Sequence, residues 1–103
     1  VYRPKIRSAS CYFERAIYFQ PRDAVVYMLY GMHMHKLGNT DKAIKLYEKA
    51  IALEKNNGEI YYNAGLMYFD LNKIEKAKEY ADKAYKLGYP LQGLARKLKT
   101  ANK

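Results

Sequence analysis

Apolar side chains recur along this chain at helical spacing. Tyr27, Tyr30, Gly31, Met34 and Leu37 follow one another at three- and four-residue steps, which gathers them on one face of a helix. After a break at Gly38-Asn39-Thr40, the positions Ala43, Tyr47, Ala50 and Glu54 do the same. The break has a physical reading. Gly38 can adopt the left-handed conformation that ends a helix, and Asn39 or Thr40 can cap the free N–H groups of the next. Asp41 then sits favourably at that helix's positive end. Further along, a helix from Glu59 to Leu71 ends at Asn72, and one from Ile74 to Leu87 ends at Gly88. Pro90 suits the first turn of a last helix, in which Leu91, Leu94, Ala95, Leu98 and Ala101 form the apolar face and Arg96, Lys97 and Lys99 lie outside. The pattern predicts six helices, near 5–20, 23–37, 41–54, 59–71, 74–87 and 91–101.

The pattern also repeats. Ala9, Ala43 and Ala77 stand 34 residues apart, as do Ala16, Ala50 and Ala84. At the same offset Phe13 falls on Tyr47, Ile17 on Ile51, Tyr27 on Tyr61, Gly31 on Gly65 and Leu37 on Leu71. A fixed period of this size marks stacked units, each burying its apolar face on its neighbours.

These positions resemble the tetratricopeptide repeat: a large aromatic, then Leu-Gly, then Tyr, followed by Ala, an aromatic, Ala and Pro. The first full unit supplies Tyr27, Tyr30-Gly31, Met34, Ala43, Tyr47 and Ala50, with Lys55 in place of the closing Pro. The second supplies Tyr61, Ala64-Gly65, Tyr68, Ala77 and Ala84, with Ala81 where the aromatic belongs and Tyr80 beside it to compensate. Ahead of both, Ala9, Phe13, Ala16 and Pro21 match the second helix of a preceding unit. The resemblance implies an all-α fold: a right-handed superhelical α-solenoid of antiparallel helix pairs. One domain, 1–103, would comprise the second helix of a partial repeat (5–20), repeats at 24–57 and 58–90, and a capping helix at 91–101. Gly31 and Gly65 would remove bulk where paired helices cross, with the alanines receiving the rings opposite. The half repeat at the start leaves its helix without a partner. A fragment of a longer array is the favoured reading, and dimerisation through that exposed helix is the other.

Members of this family bind other proteins, and the first helices of successive repeats line a concave groove for an extended peptide or a helix. Carried onto this sequence, the groove positions are Val25, Met28, Met32, His35 and Lys36, then Glu59, Tyr62, Asn63, Leu66, Phe69 and Asp70. Helical spacing sets Met28, Met32 and His35 in one stripe and Tyr62, Leu66 and Phe69 in another, both away from the glycine faces. The expectation is an adaptable apolar groove exposed to water. The family's carboxylate-gripping mode is disfavoured, because Met28 and Met32 replace the needed Lys and Asn and Glu59 would repel an acid.

Composition adds little that conflicts. The chain has 103 residues, half of them apolar, and a formal charge of +9. Basic residues gather at the ends: Arg3, Lys5 and Arg7, then Arg96, Lys97, Lys99 and Lys103. They favour an acidic partner or surface in principle, but the proposed groove carries Glu59 and Asp70, which disfavours nucleic acid. Self-assembly through open repeat ends is a further alternative. The longest apolar stretch, Ala24 to Met34, is shorter than the roughly 20 residues of a membrane span. No secretory or transit pattern is visible, but Val1 opens the chain, so the compartment is left open with the cytoplasm slightly favoured.

Catalytic and metal chemistry are set aside. Cys11 is the only cysteine, which excludes an internal disulfide, and its apolar surroundings point to a small buried hydrophobe. His33 and His35 diverge by about 200 degrees on a helix and cannot readily share an ion. Ser8, Ser10 and Cys11 have no base at a recognisable spacing, and no phosphate loop or paired-carboxylate signature occurs. Neither a cofactor nor a catalytic residue is assigned.

Overall fold

The structure, a computed structural model, describes residues 9–101. Those residues form six helices and no strand: α1 (Ala9–Phe19), α2 (Ala24–Lys36), α3 (Thr40–Leu53), α4 (Gly58–Asp70), α5 (Ile74–Lys86) and α6 (Gly93–Ala101). Residues 5–8 of the expected first helix lie outside the described residues. The chain divides into two compact units, Val1–Glu54 and Lys55–Lys103.

The first unit is built around the α2–α3 hairpin. A Cβ placed on Gly31 would stand 3.1 Å from Tyr47 Cδ2 and 3.4 Å from the Ala43 carbonyl oxygen, so the two helices meet where the side chain is absent. Ala24, Ala43, Tyr47 and Ala50 are buried at this crossing. The α1 helix joins through Phe13, whose ring stacks on Tyr30 at 5.3 Å with planes 15° apart. The Tyr30 hydroxyl donates to the Glu14 carboxylate at 2.9 Å, and Lys42 of α3 reaches the same carboxylate at 3.6 Å. Three helices are thereby tied at one tyrosine. Cys11 is exposed, contrary to its reading as a buried hydrophobe. It stands two residues from Phe13, hence on nearly the opposite side of α1.

The second unit repeats the hairpin with α4 and α5, and replaces one ring. In the first unit Tyr47 lies over Gly31; at the equivalent place Ala81 is too small to cover Gly65. Leu94 of α6 does so instead, with its Cδ2 2.5 Å from where a Gly65 Cβ would be. Leu94 is fully buried. Tyr80 compensates for the missing aromatic as expected, packing edge-on to Tyr61 at 5.8 Å and Tyr68 at 5.3 Å. The α6 helix is held further by the Ala95 amide, which donates to the Tyr85 hydroxyl at 3.2 Å.

Local signals account for the ends of the helices. Asp23 caps α2 by accepting from Val25 and Val26, and Asn57, 34 positions on, caps α4 by accepting from the Glu59 amide at 3.0 Å. Asn39 rather than Thr40 caps α3, accepting from the Lys42 amide. Gly38 and Gly88 take φ of 83° and 87°, and Asn72 takes 62°. In each case the amide of the residue after the left-handed one closes onto a carbonyl five positions back: Asn39 to Met34, Lys73 to Tyr68, Tyr89 to Ala84. The last helix begins at Gly93 rather than 91, so Pro90 stands ahead of it. The Arg96 backbone amide donates to the Gln92 carbonyl at 3.0 Å, and a Cβ on Gly93 would lie 2.8 Å from the Tyr62 hydroxyl. The helix thus starts in close contact with Tyr62.

Candidate partner-binding surface

The residues assigned to the groove lie on two first helices, and each unit presents its own face. On α2, Val25 and Lys36 are exposed while Met32 and His35 are half-buried. Met28 departs from the expected stripe: it is 2% exposed and belongs to the core. Leu29, which the groove assignment omits, is exposed beside it. Its position between the packing residues Met28 and Tyr30 hid it from a reading based on family positions.

On α4, Glu59 and Asp70 are exposed, and Asn63, Leu66 and Phe69 are half-buried. Asn63 donates from its side-chain amide to the Glu59 carbonyl one turn earlier, at 3.0 Å. Tyr62 is the second departure, 7% exposed. Its ring tilts against Tyr89 at 4.6 Å and meets Tyr85 edge-on at 6.5 Å, and α6 starts against its hydroxyl. Burial among these neighbours and the charge of Glu59 hold the Tyr89 phenol above its ordinary value. The stripe of Tyr62, Leu66 and Phe69 is therefore split: its first member packs inward, and the other two reach the surface.

Phe69 does not stand alone. It lines a hollow of about 390 Å³ with Arg96, Lys97 and Thr100 of α6. The Lys97 ammonium lies 5.6 Å from the centre of the Phe69 ring, within range of a cation–π attraction. Basic residues and a half-buried aromatic thus share one surface here. No sequence spacing announces this, because docking of α6 through Leu94 is what brings positions 69 and 97 together.

Among the described residues no group of three His, Cys, Asp or Glu side chains could hold a metal ion, and His33 instead lies against the Phe13 ring at 5.8 Å. No described helix is long and apolar enough to cross a membrane.

Comparison with known proteins agrees with the helical pattern. A TPR repeat family model matches residues 31–72, and a tetratricopeptide repeat model matches residues 58–87. The chain is similar to a TPR repeat-containing protein of Methanocaldococcus jannaschii, 30% identical over 69% of this chain and 11% of that protein. It also resembles the BBSome complex member BBS4 of Bos taurus, 30% identical over 78% of the chain and 15% of the relative. A third relative is the protein O-mannosyl-transferase TMTC3 of Mus musculus, 28% identical over 67% of the chain and 8% of that protein. The chain therefore spans only a small part of the length of the curated relatives it matches. With paired helices, small residues at their crossings and caps recurring at the repeat period, the chain belongs to the tetratricopeptide repeat family.

Proposed function

We propose that this chain is a protein-interaction module that takes an apolar peptide or helix of a partner on the outward faces of its first helices. Protein–protein interaction is the general work of the family. The finer reading rests above all on Phe69, an aromatic left half-exposed while the rings around it are buried. Leu66 lies one turn before it, and the other unit offers Val25, Leu29 and Met32 on α2. Rigid helices hold such a face in place without ordering it on binding, which lowers the entropic penalty of capture. In this reading 24–57 and 58–90 are the two repeats and 91–101 caps the second. Catalysis has no assigned role, and the surface acts by shape and apolar contact.

The test is capture from native lysate with the unmodified chain and with a Met32→Glu, Phe69→Glu double variant. The reading expects partners retained by the first and lost by the second, with helix content equal in both. Unfolding of the double variant would place these residues in the core and overturn it.

Nucleic acid is the second reading, and the pairing of Lys97 with Phe69 favours it, since cations and rings together suit a single strand. Ionic strength separates the two. Nucleic-acid affinity falls steeply with added salt, whereas an apolar peptide face is nearly indifferent.

A further inference from the structure

The two repeats differ at one point that neither the fold nor the partner face uses. In the first unit the Tyr27 hydroxyl donates to the Pro21 carbonyl at 2.9 Å. In the second, 34 positions on, Tyr61 replaces Tyr27 and Lys55 replaces Pro21. Tyr61 is 7% exposed, and its hydroxyl has no hydrogen-bond partner among the described residues. The hydroxyl keeps access to solvent, where it can donate to a ligand. Tyr61 lines a cavity of about 220 Å³ together with Lys55, Asn56, Lys83, Lys86 and Leu87, all within the second unit.

The lining is a donor set with no acidic member. Lys83 lies 5.6 Å from the Tyr61 ring centre and 5.7 Å from that of Tyr80, repeating the placement of Lys49 over Tyr27. Its one ionic partner is Glu79, a turn earlier at 3.5 Å and largely exposed, a contact that contributes little in water. Lys55 and Lys86 form no ion pair among the described residues. Lys55 and Asn56 immediately precede Asn57, the cap of α4, where a helix start carries partial positive charge. The carbonyl end of α5 would oppose an anion, but the Gly88 and Tyr89 amides close it. Leu87 is exposed at the same cavity.

We propose that this cavity binds the phosphate monoester of a phosphorylated partner peptide, with Lys55, Lys83 and Lys86 around the dianion and the Tyr61 hydroxyl donating to it. Three ammonium groups match a doubly charged oxyanion better than a single carboxylate. Leu87 supplies an apolar contact for the residue beside the phosphorylated one. The site lies apart from Phe69 and does not depend on the reading given to that face.

The experiment is an amide-resolved NMR titration of the full chain with acetyl-phosphoseryl-leucine amide, with the unphosphorylated acetyl-seryl-leucine amide and with inorganic phosphate. Saturable shifts at Asn56, Lys83 and Lys86 with the phosphopeptide, absent with its serine counterpart, are expected. Tyr61→Phe removes only the unpartnered hydroxyl, so it should fold normally and weaken binding about tenfold, as loss of a hydrogen bond to a charged group does. Lys55→Glu with Lys86→Glu should abolish binding. Three results would overturn the proposal: no saturable shift, affinity unchanged in both variants, or shifts spread equally over Arg96 and Lys97. Inorganic phosphate binding as tightly as the phosphopeptide would overturn the peptide as occupant. Oligothymidylate competing for the same amides at equal strength would instead assign the site to nucleic acid.

Discussion

At the scale of single residues, the fold turns on a few positions where one atom more would not fit. Leucine at Gly31 would have to displace Tyr47 or part α2 from α3, since even a Cβ there touches the ring at 3.1 Å. Gly31→Leu should lower stability by about 1–3 kcal/mol through overpacking. Unchanged thermal unfolding would show that the helices do not cross there. Tyr47 makes a second prediction. Its burial pushes the phenol far above the ordinary tyrosine value. The folded chain keeps it neutral at a pH where the unfolded chain ionises it, so its stabilisation is complete below about pH 10 and fades as pH rises further. Tyr47→Phe should flatten the alkaline fall in denaturant midpoint; an identical slope in the variant would contradict the burial. Residues of this kind were legible in the sequence, because small and large partners recur at the repeat offset. Cys11 was not, since its apolar neighbours in sequence lie on other sides of α1.

At the scale of elements, the helix ends show how closely the repeat is kept and where it lapses. Asp23 and Asn57 occupy one cap position and both work as caps. Asn39 and Lys73 occupy another, and only Asn39 bonds an amide; the Lys73 side chain makes no cap at α5. Lys73→Asn should therefore stabilise the chain, by about 0.5–1 kcal/mol on the scale of measured caps. A rise in melting temperature checks it, and no rise would mean that α5 starts differently. The helices themselves were readable to within a residue or so for α2 to α5, because left-handed residues and caps mark their ends. The start of α6 was not. Pro90 fits a first turn on local grounds, but the helix starts at Gly93, where the chain packs closely on Tyr62, a tertiary contact that spacing does not reveal. The same limit applies to the partner face. Helical spacing places Met28 and Tyr62 in line with surface residues, yet the spacing of one helix cannot say which side chains a neighbouring helix will cover. Tyr62 turned inward because Tyr85, Tyr89 and α6 stand against it.

At the scale of the whole molecule, the period explains construction, and its departures fall at the surfaces proposed for binding. Ala81 in place of an aromatic leaves room for Leu94, and α6 then brings Arg96 and Lys97 beside Phe69. Lys55 in place of Pro leaves the Tyr61 hydroxyl to a basic cavity. The charge of +9 is thus not only a solvated surface; part of it borders two hollows of the second unit, one with an aromatic wall and one with a tyrosine donor. The α4 face around Phe69 is proposed to capture a protein partner by apolar contact. The most direct measurement is a calorimetric titration of a captured partner into the unmodified chain and into Phe69→Glu, at low and high salt, with helix content recorded on the same samples. Affinity should barely change with salt and fall by at least about tenfold in the variant, the loss of one aromatic contact buried on binding, while helix content stays equal. Equal affinity in both chains, or an affinity that collapses with salt, would contradict it.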